Sequence, residues 1–259
     1  MSELISYGGG VNTVAMTIRL VNEGWHGPIV FADTGGEHPE TYCHMRWFEQ
    51  NFLRPKGLTI TRLSWQDPSP ELVELAYKLC HDKLQVSHSL ESYCQTRGII
   101  PLLSVRWCSL IFKRSLIEAW RQHHDILVSL IGISADESQR AHLDDPAIRY
   151  PLLDWGWTRK TCIQSIKAAS VPVPPKSGCF FCPSAGWRRW RWLWQTHPEL
   201  YERAAALERN AAARSHTFAT LDPGGQFTLD QMKSHFEAQD ELPGLDIVER
   251  NYQPCICGL

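Results

Sequence analysis

Short apolar runs alternate with longer amphipathic stretches along the first two-thirds of the chain. Leu4-Ile5-Ser6-Tyr7 is β-compatible and leads straight into Gly8-Gly9-Gly10. Val11 to Leu20 then places apolar residues at helical spacing, with a stop at Gly24. A second apolar run, Pro28 to Ala32, ends in Asp33-Thr34-Gly35-Gly36, and Pro39 to Phe52 reads as a helix with aromatics along one side. Leu58 to Leu63 alternates with period two and predicts a third strand. The pattern is helical again over Glu71 to Leu84, loop-like from Cys94 to Pro101, and helical from Cys108 to His123. Ile126 to Ile133 reads as a buried strand, followed by the polar loop Ser134 to Arg140. Strands alternating with helices imply right-handed crossovers and a parallel sheet covered on both faces, an α/β fold.

The pattern changes at Val171-Pro172-Val173-Pro174-Pro175, a stiff extended linker by its proline content. It divides an α/β domain, residues 1–170, from a mainly helical region rich in Cys, Trp and Arg, residues 171–259. The second region holds Cys179 and Cys182, a Trp/Arg stretch, a helix over Pro198 to Arg214, and a terminal Cys255-Ile256-Cys257-Gly258-Leu259.

Composition narrows the field. With 259 residues, 43% of them hydrophobic, the chain is long enough for a real core, and wholesale disorder is excluded. Lys and Arg number 26 against 28 Asp and Glu, so a generally basic nucleic-acid binder is disfavoured while a local basic patch stays open. The apolar run at Ile126 falls far short of the roughly 20 residues of a membrane span. The first ten residues carry no basic segment followed by an apolar one, so neither membrane insertion nor export is expected. Nine cysteines, an odd number, point to a reducing cytoplasm where clustered thiols act as metal ligands or redox groups. Cys43, Cys80, Cys94 and Cys162 fall in helix-like apolar patterns and read as buried core thiols.

The glycine loop is the first candidate site. In an open parallel sheet, ligands sit beyond the carboxyl ends of the strands. Ser6 to Thr13 lies at such an end, with glycines Gly8, Gly9 and Gly10 that let the backbone approach an anion and a helix start whose N–H groups point at it. Asn12 and Thr13 would add side-chain donors. A plain glycine turn with an Asn/Thr helix cap is the alternative. No lysine follows the glycines, so this is not a Walker-type loop.

Gly8-Gly9-Gly10-Val11-Asn12-Thr13 is similar to the S-G-G-x-D-S pyrophosphate loop of the adenine nucleotide α-hydrolase (PP-loop) superfamily. Further motifs follow in order and resemble its phosphoadenylylsulfate (PAPS) reductase branch. They are Phe31-Ala32-Asp33-Thr34-Gly35 with Pro39-Glu40-Thr41; Arg106-Trp107-Cys108 with Lys113; Gly132 to Arg140; Tyr150 to Trp155; and Ser177 to Pro183. The resemblance implies a Rossmann-like fold of PP-loop type that binds ATP (or PAPS or its 3′-unphosphorylated form, APS) with Mg²⁺. Ser6, Gly8, Gly9, Gly10, Asn12 and Thr13 would line the phosphates, with Asp33, Thr34, Gly35 and Gly132 around the nucleotide. Lys113 or Arg140 would meet developing phosphate charge, and Glu137 would order Arg140. Two departures stand out. Gly8 and Asn12 replace the loop's serine and aspartate, so Asp33 or Glu37 would have to supply a carboxylate for Mg²⁺. Ser134 stands where the branch often has Arg.

Cys179-x-x-Cys182 is half a metal site. The resemblance adds Cys108 as a third ligand, with Cys255 as a candidate fourth, around a [4Fe–4S] cluster or, less favoured, zinc. Cys257-Gly258-Leu259 also resembles the C-terminal nucleophile of the reductases, lacking its flanking Glu and His. In Trp187 to Trp194, bulky rings interleave with Arg188, Arg189 and Arg191, a pattern for gripping tRNA or DNA by phosphate contact and base stacking. The alternative is a helix whose Trp187, Trp190 and Trp194, at i, i+3 and i+7, pack inward.

Three functions fit. The first is an iron–sulfur-dependent sulfurtransferase that adenylates and thiolates an acceptor, with a sulfur-donor protein as partner. The second is a PAPS/APS reductase served by thioredoxin, with Cys257 as nucleophile. The third is a catalytically quiet nucleotide- or nucleic-acid-binding protein.

Overall fold

The computed structural model describes residues 2–65, 74, 89–214 and 220–240. The helix expected over Glu71 to Leu84, together with Cys80, Cys255 and Cys257, lies outside the described residues.

Five parallel strands form one sheet: β1 (Glu3–Ser6), β2 (Ile29–Asp33), β3 (Ile60–Ser64), β4 (Val128–Ile131) and β5 (Ile148–Arg149). Their order is β3-β2-β1-β4-β5, so the chain moves outward from β1 to β3 and then crosses back to β4 on β1's other side. That reversal opens a crevice between the carboxyl ends of β1 and β4, the topological switch point where such sheets take ligands. Ser6 pairs with Ile131, which puts Tyr7-Gly8 and Gly132 side by side at its mouth.

Strand alternation feeds two cores. Ile5, Ile29, Phe31 and Leu130 point to one face, where they meet helices α1 (Val11–Asn22), α2 (Pro39–Phe48) and, further along, Cys162 and Ile166. Leu4, Val30 and Leu63 point to the other, under α3 (Leu90–Arg97) and α4 (Ser115–His123). A four-residue turn, α5 (Pro151–Asp154), precedes α6 (Arg159–Ala168), which packs on α1. Helices α7 (Trp187–Thr196), α8 (Pro198–Arg214) and α9 (Leu229–Asp240) join the second core through Trp190, Leu193, Tyr201 and Phe236. Glu208 of α8 is buried among them, and its two oxygens accept the backbone N–H groups of Leu221 (2.7 Å) and Leu229 (2.6 Å). This carboxylate splices the α8–α9 connection.

Four elements depart from the sequence reading. The helix expected over Pro39 to Phe52 is α-helical only to Phe48 and continues as a π-helical turn, Glu49–Leu53. The loop expected from Cys94 begins only at Gly98. Ser89 caps α3 by accepting from the Ser92 N–H, and Gly98 takes the left-handed conformation that closes the helix, at φ 64°. The helix expected over Cys108–His123 is interrupted: a short turn at Trp107–Ser109 leads into a π-helical turn, Leu110–Arg114, before α4. A π-turn shifts the side-chain register by about one residue, and here it carries Lys113. The loop Ser134 to Arg140 contains a 3₁₀ turn, Ala135–Arg140. Cys94 and Cys162 are buried free thiols, but Cys43, grouped with them as a core thiol, is disulfide-bonded.

Candidate active site

The glycine loop closes over the mouth of the β1/β4 crevice. Gly9 adopts φ 69°, which favours glycine, and Gly10 is the N-cap of α1. No side chain caps this helix and no acidic residue stands in its first turn, so its leading N–H groups keep their donor capacity and their partial positive charge. The loop is tightly enclosed. A Cβ on Gly9 would come within 3.1 Å of the Thr41 methyl, and one on Gly10 within 2.9 Å of the Ser177 hydroxyl. Across the crevice, a Cβ on Gly132 would lie 2.9 Å from the Thr13 nitrogen and 3.0 Å from its Cα. Gly132 therefore fits because β4 presses on the start of α1. Sequence reading singled out neither Thr41 nor Ser177 as a loop neighbour; their place in two of the ordered motifs was the only signal.

The side chains around the loop are largely committed. Asn12, expected to reach toward a ligand, instead donates its amide to the Ser134 hydroxyl (3.0 Å) and to Glu137 Oε2 (3.2 Å). Its carbonyl oxygen is buried without a partner among the described residues, as are the hydroxyls of Tyr7 and Thr41. Glu137 in turn accepts from Arg140 at 3.0 Å, forming the ion pair expected of them. Asp33 Oδ1 accepts from the Gly35 N–H (2.8 Å) and from the Tyr42 hydroxyl (2.6 Å), so this carboxylate organises its own turn. Glu37 is taken up by Lys113. Glu137 contacts the loop through Asn12.

A second group of residues surrounds the thiols. A backbone bridge joins Glu37 to Cys179, and the Phe180 N–H donates to the Gly36 carbonyl at 2.8 Å. The Cys179 sulfur lies 3.1 Å from the Thr34 hydroxyl, and Cys182 Sγ lies 3.0 Å from Ser184 Oγ. Lys113 Nζ sits 2.7 Å from Glu37 Oε1. Burial alone would lower the Lys113 pKa, but Glu37, Cys179 and Cys182 raise it above the usual lysine range. Burial, then Glu37, pushes the Cys179 thiol up, and burial, then Cys182, does the same to Cys108. Cys108, Cys179 and Cys182 thus share one neighbourhood with Lys113. Buried thiols held protonated are poor nucleophiles and become ligands when a metal displaces their protons. As the side chains stand, no three His, Cys, Asp or Glu among the described residues converge closely enough to hold a metal ion.

His38 caps this region. It is 1% exposed, at the N-cap of α2, edge-on to Trp192 at 5.4 Å. Burial, with help from Arg189 and His197, lowers its pKa from 6.5 to about 3. A depressed histidine contributes stability that is fully present above its unfolded pKa and drains away as pH falls toward the folded one. Between pH 6.5 and 5 the protein should therefore lose about 2 kcal/mol through His38 alone, at about 1.4 kcal/mol per pH unit. Urea unfolding of wild type and His38→Gln across that range checks it. The variant's stability should fall with a visibly shallower slope; parallel slopes would refute the assignment.

The Trp/Arg segment forms α7 and turns its rings inward. Trp190 is wholly buried, and Trp187, Trp192 and Trp194 pack against the same core. The rings are thus structural, as the i, i+3, i+7 spacing allows. Arg189 donates to the Lys176 carbonyl at 2.8 Å, leaving Arg188 as an exposed guanidinium of the stretch. Among the described residues no helix is long and apolar enough to cross a membrane.

No protein-family model matches the chain, and no curated protein does. Among solved structures, the chain is similar to phosphoadenylyl-sulfate (PAPS) reductase from Candida auris, determined as a phosphate complex. The identity is 16%, the match covers 67% of this chain and 75% of that one, and the TM-score is 0.45.

Proposed function

We propose that this chain is an ATP-dependent sulfurtransferase of the PP-loop type. The observation that carries the reading is a juxtaposition. An uncapped, glycine-enclosed helix start at the sheet's switch point and a buried group of thiols beside Lys113 are both anchored on the segment that follows β2. ATP would rest its phosphates on the N–H groups of the loop from Gly8 to Thr13. An acceptor oxygen, on a nucleic acid or a smaller molecule, would attack the α-phosphorus and release pyrophosphate. Arg140, held by Glu137, would meet the charge that develops there. Sulfur delivered by a donor protein would then displace AMP from the adenylated acceptor. The chain's own part is to align the two reactants and to keep water from the adenylate.

A [4Fe–4S] cluster, when bound, would supply an iron able to hold the incoming sulfide. Cys108, Cys179 and Cys182 are the proposed ligands, because the half-buried Cys182 lies in electrostatic reach of both the half-buried Cys108 and the buried Cys179.

The experiment is anaerobic purification followed by two assays. One measures iron and acid-labile sulfide per chain in wild type, Cys108→Ala and Cys179→Ala. The other measures pyrophosphate from ATP alongside thioredoxin-dependent sulfite from PAPS or APS. Pyrophosphate and AMP formation, with iron lost in both variants, is the expected outcome. Sulfite release without ATP turnover would replace this reading with the reductase, and nucleotide binding without either product would leave a binding protein.

A further inference from the structure

On the far side of α2 from the glycine loop lies a cavity of about 470 Å³, within the range of small-molecule sites. Thr41 is the α2 residue that meets Gly9, whereas Pro39, Tyr42 and Arg46, at i, i+3 and i+7, line this cavity instead. Its other walls come from the Gly35–Glu37 turn, from Arg62 on the edge strand β3, and from Phe180, Leu200 and Arg203. Three guanidiniums face one space. Arg203 is already used: it forms an ion pair with Glu91 and lies 4.9 Å over the Phe180 ring. The charge of Glu37 is matched by Lys113. Arg46 and Arg62 have no ion pair, hydrogen bond or ring contact among the described residues. The cavity therefore keeps two uncompensated positive charges on planar, multi-donor groups. Tyr42, whose hydroxyl is donated to Asp33, offers its ring as a wall rather than its oxygen, and Phe180 is a second aromatic wall.

We propose that this cavity is a second ligand site, separate from the glycine loop, which takes a phosphate monoester of nucleotide size. The phosphate dianion would match the two free guanidiniums, which recognise such groups through paired N–H donors. The organic part would lie along Tyr42 and Phe180. The site does not depend on the sulfurtransferase reading, because none of its cationic residues belongs to the loop or the thiol group.

Calorimetric titration tests it with three probes: inorganic phosphate, ribose 5-phosphate and AMP. The proteins are wild type and the double variant Arg46→Gln/Arg62→Gln, whose changes are both at exposed positions. The expected result is one AMP-binding event weakened at least tenfold in the double variant, with phosphate and ribose 5-phosphate binding lost in parallel. AMP should bind wild type at least tenfold more tightly than inorganic phosphate at this event. Binding of all three probes that is the same in wild type and double variant would overturn the proposal, as would an absence of binding to wild type. A Gly132→Val protein separates the two sites. An event that survives there and disappears in the arginine variant belongs to this cavity, whether or not the loop binds ATP.

Discussion

Replacing Lys113 with methionine is expected to lower stability by about 3 kcal/mol and to abolish turnover. The Glu37 side chain is 1% exposed and has Lys113 Nζ as its ion-pair partner, at 2.7 Å, while its second oxygen has no partner among the described residues. Removing one member of a buried pair typically costs about 3–5 kcal/mol, because the other charge stays buried and uncompensated. Lys113 is one-third exposed, which places this pair at the lower end. The backbone of Glu37 also bridges to Cys179, so a carboxylate that moves to find water would carry the thiol loop with it. Chemical denaturation of Lys113→Met, Glu37→Gln and the double variant checks this. The double variant should recover at least 1 kcal/mol relative to the sum of the singles. Strict additivity would show that the two side chains are not coupled.

Gly132→Val is expected to cut ATP affinity at least a hundredfold while costing about 2 kcal/mol of stability. The new side chain would have to enter space held by the backbone of Asn12 and Thr13, at 2.9–3.1 Å, where no flexible side chain can swing away. Overpacking of this kind costs roughly 1–3 kcal/mol. The larger effect falls on binding, because the displaced element is the helix start whose N–H groups are proposed to hold the phosphates. Equilibrium binding of ATP to wild type, Gly132→Ala and Gly132→Val should fall in that order. Undiminished affinity in the valine variant would remove the loop from the nucleotide site.

Strands β1 to β4 and helices α1 and α2 were readable because each strand carries a short apolar run bounded by glycine, proline or aspartate, and each helix a 3.6-residue apolar stripe; β5, only Ile148–Arg149, has no such run and was not. The start of the helix at Pro198 was placed to the residue, since proline opens it. The π-turn at Leu110–Arg114 was not legible, because a one-residue register shift leaves the apolar spacing of so short a segment almost unchanged. For the same reason the position of Lys113 beside Glu37 could not be read from its spacing to Cys108. The role of Asn12 was hidden for a different reason. Its partners, Ser134 and Glu137, lie more than 120 residues away, and only the pairing of β1 with β4 brings them opposite. Arg46, Arg62 and Arg203 likewise occupy three separate segments with no motif among them, so their shared cavity exists only in three dimensions.

The contact between Thr34 and Cys179 joins groups 145 residues apart. During synthesis, β1 and β2 would have left the ribosome well before Cys179 is translated. The sheet can therefore begin to form while the thiol group has no counterpart. Closing so long a loop adds an entropic cost that is repaid only when the last third of the chain docks, a feature of slowly maturing proteins. Any cofactor loading at these thiols would have to follow that docking, which would make assembly of the proposed sulfur centre a late event in the life of each chain.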